Sequence, residues 1–316
     1  MSNNKRYSGI GGQAVMEGVM MKNKDTYAVS VRKPDGKIEV KIEEYKGVCK
    51  VEALKNIPFI RGVFNFVDSL VLGMRALTYS ASFFEEDEKT SKQGADTAKD
   101  TQNTDTSKNG KKEDLMMGMT VALSIVFAVV LFMLLPYGLS RLMKLFTDSE
   151  MLIAVAEGIL RIIIFLAYVS LISLMEDIKR VYMYHGAEHK CINCIETGNE
   201  LNVDNVRKAS RLHKRCGTSF LLFVVVISVI MFMFIRSDNP IMRLGLRIVL
   251  IPVIAGISYE IIRWAGRSDN KIVQLLSVPG LCLQKITTAE PTDDMIEVAI
   301  SSVEAVFDWR EYLDEI

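Results

Sequence analysis

The stretch YHGAEHKC, residues 184–191, sets His185 and His189 four positions apart with Glu188 between them, in a chain that holds only three histidines. On a helix of 3.6 residues per turn these side chains share one face, so two imidazoles and a carboxylate can point at one spot. The spacing is H-x-x-E-H, the reversed counterpart of the zincin motif, in which the histidines ligate Zn²⁺ and the glutamate works as general base. The third histidine, His213, follows in RLHKRCGTSF with Cys216 three positions on, and Cys191, Cys194 and Glu196 lie between. Histidine is therefore confined to one narrow window of the chain.

Such a gathering suits a divalent metal. Zn²⁺ comes first because imidazole with thiolate or carboxylate matches its borderline character, while Fe²⁺ and Mn²⁺ accept related sets. Four protein ligands would make the site structural; three with an open position would make it catalytic. The open set expected here is His185, His189 and either His213 or Glu196, with Glu188 as catalytic base. If Cys194 or Cys216 completes the coordination instead, the metal staples a cytoplasmic loop to the helices beside it. Without a metal, the three rings would hydrogen-bond to backbone or to lipid phosphate at a membrane edge. Cys191 and Cys194 form a C-x-x-C, but no second such pair exists.

The elements that must carry these residues are strongly apolar. Residues 115–135 contain no charged side chain, 151–175 contain Glu157 and Arg161, 218–235 again contain none, and 240–262 contain Arg243, Arg247 and Glu260. Each meets the length of roughly 20 residues needed to cross a bilayer, so the expected fold is a mostly α, polytopic helical membrane protein of four spans over 115–262. The connection 176–217 holds Lys179, Arg180, Lys190, Arg207, Lys208, Arg211, Lys214 and Arg215, against Arg141 and Lys144 in 136–150 and Arg236 in 236–239. That bias places 176–217, with its histidines, and both termini in the cytoplasm.

Outside the spans, TYAVSVR and KIEVKIEEY alternate polar and apolar residues around KPDGK, which predicts a β-hairpin within an N-terminal region 1–57. No apolar run follows the basic N-terminus, so no cleavable signal is expected. Residues 58–84 place Arg61, Asp68 and Arg75 on one stripe of an amphipathic helix, lying in the membrane surface or packed on the bundle. Residues 85–114 hold 15 charged residues among 30 and read as a disordered linker. Residues 272–286, interrupted by Pro279 and Gly280, read as interfacial or re-entrant within a C-terminal region 263–316. Gly11, Gly12 and Gly18 bracket QAVME; they signal turn geometry, or a loop folded over the histidines with Glu17 as a further carboxylate.

Four segments, GGQAVMEGVMMK, RGVFNFVDSLVLGMRALTYSA, the stretch 184–221 and VPGLCLQKITTAEPTDDMIEVAI, make the chain resemble the YqhQ-like family of bacterial membrane proteins, of unknown function and grouped as predicted metal-dependent enzymes. The resemblance covers nearly the whole length apart from the linker. It implies a bacterial cell membrane location and marks Gln13 and Glu17, which would stand behind the ligands, then His185, Glu188, His189, Cys194, Glu196, His213 and Cys216, and Glu290 with Pro291. It settles neither substrate nor reaction.

Zero net charge with scattered basic residues gives no footprint for nucleic acid. The absence of G-x-G-x-x-G and G-K-[ST] gives none for a nucleotide. Lipid is the one partner the sequence names. Three functions follow: a metal-dependent enzyme, such as a hydrolase working near the membrane; a scaffold or membrane-protein assembly factor with a structural metal; and a carrier using the intramembrane charges Glu157, Arg161 and Arg247.

Overall fold

A computed structural model describes residues 7–49, 54, 56–93, 106–235, 239–265 and 270–315. The chain is mostly helical with a small N-terminal antiparallel sheet, and it divides into two compact units. The first gathers Met1–Lys89, Val169–Val224 and Pro252–Ile316; the second holds Thr90–Tyr168 and Val225–Ile251.

In the first unit, β1 (Gly11–Val15), β2 (Gly18–Asn23), β3 (Thr26–Arg32) and β4 (Ile38–Glu44) form a meander in the order β1-β2-β3-β4. The expected hairpin is β3–β4, in register from Thr26↔Glu44 to Arg32↔Ile38. The sequence reading did not contain β1 and β2. Val19 and Met21 of β2 enter one core and Met20 enters another on the opposite face, so the strand is apolar on both sides and shows no alternation. Gly12 and Gly18 are strand residues rather than turn residues. A Cβ on Gly12 would lie 2.6 Å from the Met20 carbonyl oxygen, and one on Gly18 would lie 2.2 Å from that of Ser30.

One sheet face packs on α1 (Ile60–Gln93) through Leu72 and Ala76. The charged stripe of α1 meets protein: Arg61 Nε donates to Glu260 at 2.6 Å, Asp68 accepts from Tyr45 Oη and the Val48 amide, and Arg75 lies over the Tyr45 ring. The other sheet face packs on α5 (Glu176–Glu196) and α11 (Asp293–Glu304), where Val19, Met21, Ile192, Ile195, Ile296 and Val303 share a core.

α2 (Thr106–Val129), the π-helical turn Val130–Leu134 and α3 (Leu135–Arg141) form one continuous helical run, apolar from Gly118 onward, followed by α4 (Glu150–Ile172). α6 (Val203–Lys208) and α7 (Gly217–Phe232) come next, then α8 (Pro240–Val249), α9 (Ile251–Ala265), α10 (Lys271–Thr287) and, after α11, α12 (Trp309–Asp314).

Three described helices are long and apolar enough to cross a membrane: Gly118–Leu145, Glu150–Ile172 and Ile241–Ala265. The fourth expected span contains the shorter apolar helix α7, of 16 residues. Arg236, counted in the loop after it, lies outside the described residues. Two local expectations are corrected. Residues 85–93 and 106–114 are helical, in keeping with the helix propensity of their Glu, Lys and Gln residues, whereas 94–105 lie outside the described residues. Pro279 and Gly280 do not interrupt 272–286, since α10 runs through both. Proline removes one backbone donor, and the absent Gly280 side chain lets Ser219 come within 2.6 Å of where its Cβ would stand.

Candidate metal centre

Almost the whole circumference of α5 is buried from Tyr184 onward, because the sheet covers one side, α11 another and residues 207–216 a third. The last of these is the end of a short helix followed by irregular chain, and its carbonyls need donors. α5 provides them: Lys190 Nζ donates to the carbonyls of Arg207 and Ala209, Asn193 Nδ2 to those of Ser210 and Leu212, and His189 Nδ1 to that of Arg211 at 2.7 Å. His185 Nδ1 donates to the Thr287 carbonyl at 2.9 Å, just beyond where Gly186 meets the following segment. A Cβ on Gly186 would lie 2.0 Å from the Ala289 carbonyl oxygen, so only glycine permits this approach.

Those two imidazole bonds decide the tautomers. A carbonyl can only accept, so Nδ1 carries the hydrogen in both rings, and in a neutral ring Nε2 is then the nitrogen with the lone pair. His185 Nε2 lies 3.1 Å from Cys216 Sγ, and the ring centroids of His185 and His189 are 4.4 Å apart. Donor atoms of His185, His189 and Cys216 all fall within 4.8 Å of one another. Cys216 immediately precedes α7, where the Thr218 amide donates to Sγ at 3.4 Å. Two imidazoles and a thiol within this span are a donor set that fits Zn²⁺ or a similar ion.

Glu188 borders the group, with Oε2 3.9 Å from His185 Nε2. Burial pushes its carboxyl pKa upward, against the lowering effects of His185 and the Gly12 amide. β1 therefore reaches the histidine face of α5 through the Gly12 backbone, whereas the Glu17 carboxylate meets the helix at Arg180 and Tyr184 rather than at the histidines. Glu17 stands at the β1–β2 turn with φ of 49° and binds Arg180, with Tyr184 Oη donating to it at 3.3 Å. Gln13 lies against Gly73 of α1.

His213 stands beside this group, its ring centroid 5.7 Å from that of His189, but neither it nor Glu196 nor Cys194 is among the three residues whose donor atoms converge. Gln284 clamps the His213 backbone, accepting from its amide and donating to its carbonyl, and His213 Nε2 then faces Glu196 at 3.5 Å. Burial pushes the His213 pKa down more than Glu196 raises it. Burial would raise the Glu196 carboxyl, but His213, Arg215 and the Ser8 amide outweigh it and hold the pKa at about 2. Cys194 Sγ turns toward the Glu200 carbonyl at 3.4 Å, and burial pushes its thiol to about 11. Burial also raises Cys191, so neither member of the C-x-x-C is held as a thiolate. Glu290 pairs with Lys190 and Arg211, and Glu260 with Arg61 rather than with the histidine segment.

The sequence reading missed Lys190, Asn193, Gln284 and the carbonyls of Arg211 and Thr287. Lys190 and Asn193 had a visible signal as polar residues on a helix otherwise bounded by apolar ones; the backbone groups had none.

The family model described as "Protein of unknown function (DUF1385)" matches residues 57–309. The "Uncharacterized protein YqhQ" of Bacillus subtilis (strain 168) is 36% identical over 308 residues, which cover 96% of this chain and 93% of that protein. No solved structure matches the chain. Neither description names a metal or an activity.

Proposed function

We propose that the chain, which belongs to the DUF1385 family, is a multi-pass membrane protein with a metal-dependent hydrolytic site, its ligands being His185, His189 and Cys216. The observation that carries this reading is that both Nδ1 atoms donate to backbone carbonyls while His185 Nε2 lies 3.1 Å from Cys216 Sγ and donor atoms of all three residues fall within 4.8 Å of one another. Metal-ligating histidines are held by such outer bonds. Bound there, a divalent cation would supply a Lewis acid that polarises a carbonyl or phosphoryl oxygen. Glu188 would take a proton from the attacking water and return it to the leaving group, a role that its raised pKa favours.

Membrane topology follows from the shared core of the first unit. β2, α5 and α11 pack together, so the chain returns to one side of the bilayer after residues 118–172 and again after 217–265. On this reading the number of crossings is even, and α7 would be the core of the fourth span. The lysine and arginine bias places that side in the cytoplasm. Reporter fusions at Thr147 and Asn239 should be external and those at Lys46 and Glu315 cytoplasmic; Asn239 on the cytoplasmic side would refute four spans.

Elemental analysis of the purified full chain tests the site. About one equivalent of metal is expected, with His185→Ala, His189→Ala and Cys216→Ser each losing it. Glu188→Gln should keep the metal while abolishing hydrolysis of membrane-dispersed ester or phosphoester substrates. Retention of metal in both histidine variants would remove the site. Full activity of Glu188→Gln would remove Glu188 as the base, and metal bound without any hydrolysis by the unaltered protein would leave a structural metal, a second reading that the junction of α5 with the start of α7 favours.

A further inference from the structure

The second unit buries three ionisable side chains that the metal site does not use. Glu157 and Arg161 lie one turn apart on α4, and Arg247 comes from α8. Glu157 Oε1 accepts from Arg161 Nη2 at 2.9 Å and from Arg247 Nη2 at 2.6 Å, so one carboxylate oxygen serves two guanidinium groups. All three residues are at most 6% exposed.

Charge and donors do not balance within this group. Arg161 finds a further partner because the π-helical turn Val130–Leu134 leaves the Phe132 carbonyl available, and Nε donates to it at 3.0 Å. Arg247 Nε is buried and makes no hydrogen bond among the described residues. The Phe232 ring lies under both guanidinium groups, with centroid distances of 4.8 and 5.1 Å, and the Tyr137 ring lies 5.8 Å from that of Arg247. These rings favour cations but cancel no charge. Of the other acidic residues in the unit whose side chains are described, Asp148 and Glu150 are exposed at the start of α4, and Glu150 binds Lys144. Two buried cations therefore share one buried anion, and an unpaired charge within a membrane span is retained only when something neutralises it.

We propose that Arg247, with Arg161 beside it, binds one small monovalent anion, a halide or a simple carboxylate. One negative charge makes the group neutral, and the Nε–H supplies a directed donor that is already desolvated. A phosphate dianion would overshoot the balance.

Equilibrium dialysis of the purified full chain with radiolabelled chloride, and separately with radiolabelled acetate, tests the proposal. Saturable binding near one per chain is expected for at least one of them, and competition between the two shows which is preferred. Arg247→Gln should weaken that binding at least 100-fold while the protein stays folded, because Glu157 and Arg161 remain a neutral pair. Glu157→Gln should tighten it about tenfold by removing the competing carboxylate, a change of opposite sign that non-specific adsorption would not give. Absence of saturable binding of both anions in the unaltered protein would overturn the proposal, leaving water as the partner of Nε. Unchanged binding in Arg247→Gln would overturn it equally. Should Arg247→Gln fail to fold, the direction of change in Glu157→Gln decides.

Discussion

The two units bury polar groups with opposite deficits. Around α5, the buried cations Lys190 and Arg215 have their acceptors, and the groups that face one another are electron-pair donors, two imidazoles and a sulfur, with one 3.1 Å contact between His185 and Cys216. Around α4 and α8, one carboxylate oxygen serves two guanidinium groups and a donor with positive charge is left over. Folding alone does not account for either remainder, since both stand in places from which water is largely excluded. The first arrangement calls for a cation and the second for an anion. Each can be broken without touching the other.

The largest separation should come from metal content. His185→Ala or Cys216→Ser is expected to reduce it from about one equivalent to background, and a chelator should lower the unfolding midpoint of the unaltered protein because ligand binding and folding are linked. Arg247→Gln should leave metal content unchanged. If it too loses the metal, the two remainders are one system and the comparison fails.

Packing separates the units next. Gly186→Ala would put a methyl 2.0 Å from a backbone oxygen, whereas Gly158→Ala would put one 2.3 Å from Cγ1 of Val229, a side chain. Backbone cannot step aside without moving Thr287 off His185, so a loss of about 3 kcal/mol is expected for Gly186→Ala and about 1 kcal/mol for Gly158→Ala, by chemical denaturation. Only the first should also lower metal content.

Much of this was legible in the sequence, and what was not has definite causes. The histidine face of α5 followed from spacing alone, because a helix converts positions 185, 188 and 189 into one surface whatever surrounds it. Glu157 and Arg161, four positions apart, share one helix face for the same reason. His213 comes beside His189, but the direction its ring faces follows from Gln284, which lies 71 positions away and could not be read from spacing. Cys216 was left as one of two sulfur alternatives because the turn before α7, not any periodicity, aims it. β1 and β2 escaped notice because burial on both faces erases alternation, and the shared core of β2, α5 and α11 could not be read from three separated stretches.

Acid should act on the first unit through Glu196. Its pKa lies below the ordinary 4.5, at about 2, so the stabilisation it provides is complete above the ordinary value and is lost as pH falls from about 4.5 toward about 2. The size is on the order of 2 to 3 kcal/mol. Glu196→Gln should lower stability at neutral pH and flatten its dependence across that window, measured as the unfolding midpoint at successive pH values. A variant as acid-sensitive as the parent would show that another carboxylate dominates.

The smallest expected effect bears on where the metal site ends. Glu17 binds Arg180, which is half exposed, and also accepts from Tyr184, so it ties the β1–β2 turn to the first half of α5 one turn before His185. An ion pair with an exposed partner contributes less than about 1 kcal/mol, and the turn itself is held independently by the Arg32 amide donating to the Glu17 carbonyl at 2.8 Å. Glu17→Gln keeps the hydrogen-bonding shape and removes only the charge. It should cost under about 1 kcal/mol and leave metal content unchanged. A loss of metal in this variant would instead extend the site to the sheet, making Glu17 a group that acts on His185 through Tyr184 and the helix turn between them.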